Sequence, residues 1–76
     1  MIPDKRYAVF ATRIKSLRRA RRLSQQELAK ALGVHPGHYS RYETQDSLPS
    51  LLTLVSIADY FEVSTDYLLN RTDEMR

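Results

Sequence analysis

Residues 23–34, LSQQELAKALGV, carry signals for both the start and the end of one short helix. The Ser24 hydroxyl can accept a hydrogen bond from the backbone N–H of Glu27, and the Glu27 side chain can accept one from the backbone N–H of Ser24. Gly33 follows at the position where a left-handed residue commonly ends a helix. The stretch therefore predicts a short helix that closes in a tight turn, after which the next segment crosses it closely.

Capping residues and apolar spacing predict four further helices. The first follows Asp4, and the third begins near His35 with Pro36 at its first helical position. The fourth and fifth follow Ser50 and Ser64. Apolar residues three or four positions apart form one face of the first and fourth helices: Tyr7, Phe10, Ile14 and Leu17, then Leu51, Leu54, Ile57, Ala58 and Phe61. No stretch favours a strand, so the expected fold is an all-α, compact five-helix domain.

The chain length limits how this fold is organised. A chain of 76 residues is long enough for one domain, and it leaves no room for a separate ligand-binding or catalytic domain. We expect a single domain over residues 1–76, with a core at about 7–70 and a short flexible C-terminal tail. The apolar-rich run at 51–58 is far too short to span a bilayer, and we expect a soluble, cytoplasmic protein.

Charge is distributed unevenly along the chain. Residues 1–41 hold ten Lys and Arg against two acids, a net +8, whereas the other 35 residues hold two Arg against seven acids, a net −5. The first half therefore attracts a polyanion. A basic amphipathic first helix can also lie on an anionic membrane, but its apolar face is about as large as a small core needs, which favours burial in the protein.

Several classes of site lack the residues they need. The chain has no cysteine, which excludes disulfides and thiolate metal sites. His35 and His38 have the spacing of a metal-ligand pair, but no convincing third ligand accompanies them, so a capping histidine and a surface histidine are the favoured interpretation. Serines and histidines form no nucleophile–base pattern, and no glycine-rich phosphate loop is present. We expect no enzyme activity, no metal and no cofactor.

Two long segments carry a family resemblance. RIKSLRRARRLSQQELAKALGVHPGHYSRYE at 13–43 and LPSLLTLVSIADYFEVSTDYLL at 48–69 resemble the helix-turn-helix domains of the phage repressor and Cro family, also called XRE-like. The resemblance implies a sequence-specific transcriptional regulator, a repressor, that binds double-stranded DNA as a homodimer on an inverted-repeat operator. A helix-turn-helix fold can also serve as a protein-interaction or antitoxin-like module, in which the acidic C-terminal half meets a basic partner.

The resemblance also implies roles for individual residues. Gln25 would bind a DNA phosphate, and Arg18 and Glu43 would form a structural ion pair between the first helix and the end of the third. Tyr67, Leu68 and Leu69 offer more apolar surface than so short a helix can bury alone, and they are the expected dimer interface. The expected DNA-contacting residues are Arg22, Ser24, Gln25, Gly37, His38, Ser40, Arg41 and Thr44.

The third helix has few side chains with which to read bases at its start. Tyr39 and Tyr42 fall on one side of this helix and Gly37 and Arg41 on the other, at about 100° per residue. We expect Gly37 to let the helix end approach DNA closely and Arg41 to read a guanine, although a solvated or phosphate-binding arginine is the simpler alternative. His38 and Ser40 are secondary readers by their position on the same side.

The loop after the third helix departs from the family pattern. Relatives commonly carry glycine and basic residues there, whereas this chain has Gln45, Asp46 and Ser47. A phosphate contact is therefore missing and an acid stands beside the expected interface, which predicts a lower DNA affinity or a smaller footprint.

Overall fold

The computed structural model describes residues 4–76 and shows an all-α fold in that part of the chain, as predicted. Its five helices are α1 (Lys5–Ala20), α2 (Gln25–Leu32), α3 (Pro36–Glu43), α4 (Leu51–Phe61) and α5 (Thr65–Leu68). They pack into a body of 27 × 27 × 21 Å. None of these helices is both long enough and apolar enough to cross a membrane.

Each of these helices begins at a side chain that accepts a hydrogen bond from the first turn. The reciprocal capping box predicted at Ser24 and Glu27 is present, with distances of 3.0 Å and 2.9 Å for its two hydrogen bonds. The cap residues of α1 to α5, in order, are Asp4, Ser24, His35, Ser50 and Ser64. Short polar side chains that accept from N–H groups of the first turn therefore determine where the helices start.

Each helix is followed within two residues by a residue with a positive φ angle, and only one of these residues is glycine. Gly33 has φ 74° after α2, and the backbone N–H of Val34 donates to the carbonyl of Ala29 at 3.0 Å, which closes the predicted turn. The equivalent residues after α1, α3, α4 and α5 are Arg22, Gln45, Glu62 and Asn70. A left-handed conformation is costly for most residues other than glycine, so the packing of the helices holds these turns.

The core takes buried side chains from all five helices. Ile14, Leu28, Tyr39, Ile57 and Leu68 each have 0% of their surface exposed. The expected dimer contact at Leu68 is therefore wrong, because its side chain fills the core of its own chain. Tyr67 and Leu69 are half-buried beside it.

The residues after α5 fold back on α1 and α5. The backbone N–H of Ser64 donates to the carbonyl of Met75 at 2.7 Å. The Arg13 guanidinium donates to the carbonyls of Tyr67 and Thr72, the latter at 2.8 Å, and lies 4.1 Å from the centre of the Tyr67 ring. One arginine of α1 thus binds the end of the chain.

Candidate nucleic-acid interface

One buried carboxylate joins α1, α2 and α3. Glu43 lies at the end of α3, and only 3% of its side chain is exposed. Each of its two oxygens accepts two hydrogen bonds, from Arg18 Nη2 (3.0 Å) and Gln25 Nε2 (3.0 Å) on Oε1, and from Arg18 Nε (2.7 Å) and Tyr39 Oη (2.6 Å) on Oε2. A bidentate arginine pair and two further donors satisfy the carboxylate in full.

These contacts keep Glu43 ionised inside the protein. Burial raises the pKa of its carboxyl, but the hydrogen bonds from Arg18, Tyr39 and Gln25 outweigh burial and hold the pKa below its ordinary value. Arg18 also donates through Nη1 to the carbonyl of Leu23 at 2.8 Å, so the same guanidinium fixes the turn before α2. The relative position of α2 and α3 therefore depends on a satisfied ion pair.

Gln25 stands at the first position of α2 with its amide oriented by Glu43. A carboxylate accepts hydrogen bonds only, so the amide nitrogen of Gln25 must face it and the amide oxygen must face away. One N–H of that nitrogen donates to Glu43, which leaves the second N–H and the amide oxygen available. The Gln25 side chain is half-buried, and its position at the start of α2 suits an anion.

The two sides of α3 differ as helical geometry predicts. Tyr39 and Tyr42 are buried, whereas Gly37, His38 and Arg41 are exposed and Ser40 is half-buried. The His38 ring packs edge-on against Tyr42 with 5.5 Å between ring centres, which restricts where the imidazole lies. Arg41 forms no ion pair with any residue of the described chain, so its guanidinium is open to an external partner.

The structure adds a role for Gly37 that sequence reasoning missed. The Nδ1 atom of His35 accepts a hydrogen bond from the backbone N–H of Gly37 at 3.1 Å, as expected of a capping histidine, and the ring lies beside Gly37. A Cβ atom added at Gly37 would lie 3.3 Å from that nitrogen, closer than most real Cβ contacts. The sequence signal that could have revealed this role is a histidine at the cap position, His35, two residues before a glycine.

Two of the expected contact residues already have partners within the chain. The Ser24 hydroxyl accepts from the backbone of Glu27, although its own O–H remains free to donate. The Thr44 hydroxyl donates to the carboxylate of Asp46 at 2.7 Å. Asp46, the acid in the loop that departs from the family pattern, therefore binds a hydroxyl that was expected to contact DNA.

Tertiary contacts also reduce the basic surface of α1. Arg13 and Arg18 bind the chain itself, and Arg21 donates to the carbonyl of Tyr60 at 3.1 Å beside the rings of Tyr60 and Phe61. The basic residues of α1, α2 and the intervening turn that remain exposed without such a contact in residues 4–76 are Lys5, Lys15, Arg19, Arg22 and Lys30. Three arginines of α1 and the turn after it therefore serve the fold, and the five exposed residues remain available to a polyanion.

Comparison with known proteins agrees with this geometry. The sequence profile of the family described as Helix-turn-helix (HTH_3) matches residues 14–68, which include α2, α3 and the Arg18–Glu43 pair. This chain belongs to the helix-turn-helix family. The relatives named below carry the names of transcriptional regulators and repressors.

Similar helix-turn-helix proteins come from bacteria and their phages. The HTH-type transcriptional regulator YobD of Bacillus subtilis is 35% identical over 66 residues, which are 87% of this chain and 59% of YobD. The cryptic phage CTXphi transcriptional repressor RstR of Vibrio cholerae is 38% identical over 64 residues, which are 82% of this chain and 57% of RstR. The chain therefore spans a little over half the length of these relatives.

A solved structure has the same helix-turn-helix fold. The solution structure of the SOS-response transcriptional repressor LexA from Eubacterium rectale aligns with a TM-score of 0.83 and 28% sequence identity. The alignment covers 91% of this chain and 73% of that one. The resemblance to repressor domains thus extends over nearly the whole fold.

Proposed function

We propose that this helix-turn-helix protein is a sequence-specific regulator of transcription, a repressor, that binds double-stranded DNA as a homodimer on an inverted repeat. The observation that carries the proposal is the open face of α3. Gly37, His38 and Arg41 are exposed on a helix whose other side is held by buried tyrosines and Glu43. A rigid helix with one free face suits insertion into the major groove. The names of YobD, RstR and LexA support a role in transcription.

The start of α2 binds the DNA backbone in this proposal. Gln25 donates its second amide N–H to a phosphate oxygen, and Glu43 fixes the direction of that N–H in advance. Arg22 and Ser24 lie in the turn immediately before Gln25 and are exposed, so they reach the same phosphate or its neighbour. These contacts set the orientation of the domain but carry no sequence information.

Bases are read from the exposed side of α3. Arg41 donates two hydrogen bonds to O6 and N7 of a guanine, the arrangement that its planar guanidinium fits best. His38 and Ser40 make secondary contacts from the same side. Gly37 places backbone where a side chain would otherwise separate the helix from the groove. Thr44 contributes less than the other residues, because its hydroxyl is bound to Asp46.

Selection from random duplexes, followed by fluorescence anisotropy with the selected sequence, tests the proposal. We expect tight binding at low salt and a steep loss of affinity as salt is added, because bound phosphates release counterions. Arg22→Ala should weaken binding to all duplexes nearly equally and reduce the salt slope by about one unit. Arg76→Ala removes the same charge from an exposed residue beside Glu62 and serves as the control.

Two outcomes would contradict the proposal. Absence of binding to every selected or genomic duplex at low salt would favour the alternative of a protein-interaction or antitoxin-like module. An altered sequence preference with an unchanged salt slope in Arg22→Ala would show that the start of α2 reads bases.

A further inference from the structure

Four apolar side chains remain exposed next to one another around the start of α4. Leu51 and Leu52 leave 81% and 82% of their surface open, and Leu48 and Val55 leave 47% and 46%. Positions 51, 52 and 55 lie within about 100° of one another on the helix, and Leu48 lines a groove together with Leu51. We call Leu48, Leu51, Leu52 and Val55 the leucine patch.

A groove adjoins the leucine patch and is itself apolar. Its walls come from α1, the loop before α4, α4 and the residue after α5, and its volume is about 220 Å³. The residues that line it are Phe10, Leu48, Pro49, Leu51, Leu54 and Leu69. A protruding apolar group beside an apolar groove is self-complementary, which suits a two-fold contact in which each copy inserts into the other.

The area of the patch limits how strong such a contact can be. A leucine side chain removes on the order of 60–120 Å² of apolar surface from water when it is fully buried. With the exposed fractions given above, burial of the four side chains would remove roughly 150–300 Å² of apolar surface from water in each copy. A stable interface needs about 800 Å² per partner, a little over half of it apolar. The leucine patch therefore supplies about half of the apolar area of a stable dimer.

We propose that a second copy of this chain docks on the leucine patch and that, at micromolar protein concentrations, this contact holds only when both copies are bound to DNA. The patch follows α3 by one loop, residues 44–50, so a two-fold axis through the patch leaves α3 of each copy within the width of one domain from the axis. Recognition helices in successive major grooves lie about 34 Å apart, which places each about 17 Å from the axis. That distance fits within the 27 Å extent of the domain.

The DNA-dependent part of this inference rests on the proposed function. Two half-sites on one duplex hold the copies at an effective concentration of roughly 1 mM. A contact with a dissociation constant of about 100 µM, typical of a small and transient interface, then gives about tenfold cooperativity on the full operator. The same contact leaves the protein monomeric at about 10 µM in the absence of DNA.

The first experiment needs no DNA. Amide chemical shifts of the wild-type chain are followed from about 50 µM to about 1 mM, together with those of Leu52→Ser and of Met75→Ser, an exposed apolar control outside the patch. We expect concentration-dependent shifts at the patch and groove in the wild type and in Met75→Ser, and none in Leu52→Ser. Shifts confined to another surface, no shifts, or a dimeric mass at about 10 µM would overturn the proposal.

The second experiment compares a full inverted repeat with a single half-site. Leu52→Ser should lose the cooperativity of about tenfold and keep the wild-type affinity for the half-site. Unchanged cooperativity in Leu52→Ser would place the interface elsewhere. Failure of the wild type to bind any half-site would contradict the proposed function instead, and the first experiment would still decide whether copies meet at the leucine patch.

Discussion

The two ends of α3 are built in opposite ways. The C-terminal end places Tyr39, Tyr42 and Glu43 in the interior, where four donors converge on one carboxylate. The N-terminal end exposes Pro36 and Gly37, and a single side chain, that of His35, caps it. We therefore call the C-terminal end of α3, which buried contacts hold, the anchored end, and the exposed N-terminal end the presented end.

This difference explains how a helix of eight residues can serve as a recognition element. A helix this short is not stable alone, so its orientation must come from tertiary contacts. The Glu43 cluster supplies those contacts and also orients Gln25 at the start of α2. Changes at the anchored end should therefore act on stability, and changes at the presented end should act on DNA binding.

The largest expected effect is the loss of Arg18. Arg18→Ala leaves the buried Glu43 carboxylate without its cation, and removal of one partner of a buried pair costs about 3–5 kcal/mol of unfolding free energy. The whole unfolding free energy of a chain of this size is roughly 4–11 kcal/mol, so urea denaturation should show a severe loss of stability. Arg19→Ala, an exposed neighbour, should change stability by less than about 0.5 kcal/mol. Equal effects of the two variants would show that the pair does not anchor α3.

A smaller loss is expected when Glu43 keeps its shape but loses its charge. Glu43→Gln should cost about 1.5–3 kcal/mol near neutral pH, the range for hydrogen bonds to a charged group. Because the pKa of Glu43 is lowered on folding, its contribution is present above the ordinary value of 4.5 and is lost as pH falls below it. Unfolding free energy measured from pH 7 to pH 3 should therefore fall less steeply in Glu43→Gln than in the wild type.

Glu27→Gln is the matched control for that pH series. Glu27 is an exposed carboxylate whose pKa is lowered by the hydrogen bonds of the capping box, and within residues 4–76 its side chain is hydrogen-bonded to Ser24 alone. Its substitution should leave most of the acid dependence in place. A pH profile of Glu43→Gln that matches the wild type would contradict the assignment of Glu43 as the anchor.

On the exposed side of α3, substitutions should change DNA specificity and leave stability nearly unchanged. Arg41→Ala should weaken binding to the selected operator by about 1–3 kcal/mol and binding to unrelated DNA by much less. Its melting temperature should stay close to that of the wild type, because the Arg41 side chain is exposed. Titration against single-base changes in each half-site, with Arg22→Ala as the phosphate-contact control, measures this. An equal loss on all sequences would make Arg41 a phosphate contact and leave recognition to His38, Ser40 or DNA shape.

The smallest expected effect concerns how closely the start of α3 approaches the DNA groove. Gly37→Ala gains up to about 1 kcal/mol of helix propensity, which the contact of its Cβ with the His35 ring partly offsets. Stability should therefore change by less than about 1 kcal/mol, whereas binding to the selected operator weakens because a methyl group separates the helix from the bases. Gly37→Gln, which restores a long polar side chain, should shift the base preference at one position of each half-site. Wild-type binding by both variants would show that the helix start does not approach the DNA.

Local signals were sufficient for the helices and their limits. The capping box at Ser24, the left-handed turn at Gly33 and the position of Pro36 each depend on residues at most five positions apart. Their hydrogen bonds form with the same geometry wherever the helix lies in the fold. The all-α architecture and the membership of the helix-turn-helix family could therefore be inferred from the sequence.

The tertiary structure decided which side chains remain available at the surface. Arg13 meets Asp73 across 60 positions, and Arg21 meets Tyr60 across 39, so neither contact could be recognised from spacing. Periodicity likewise identified apolar faces but not what covers them: Leu68 fills the core, whereas Leu52 stays exposed. A local pattern fixes the direction of a side chain on its own helix, and only the packing of distant helices determines whether that side chain is buried.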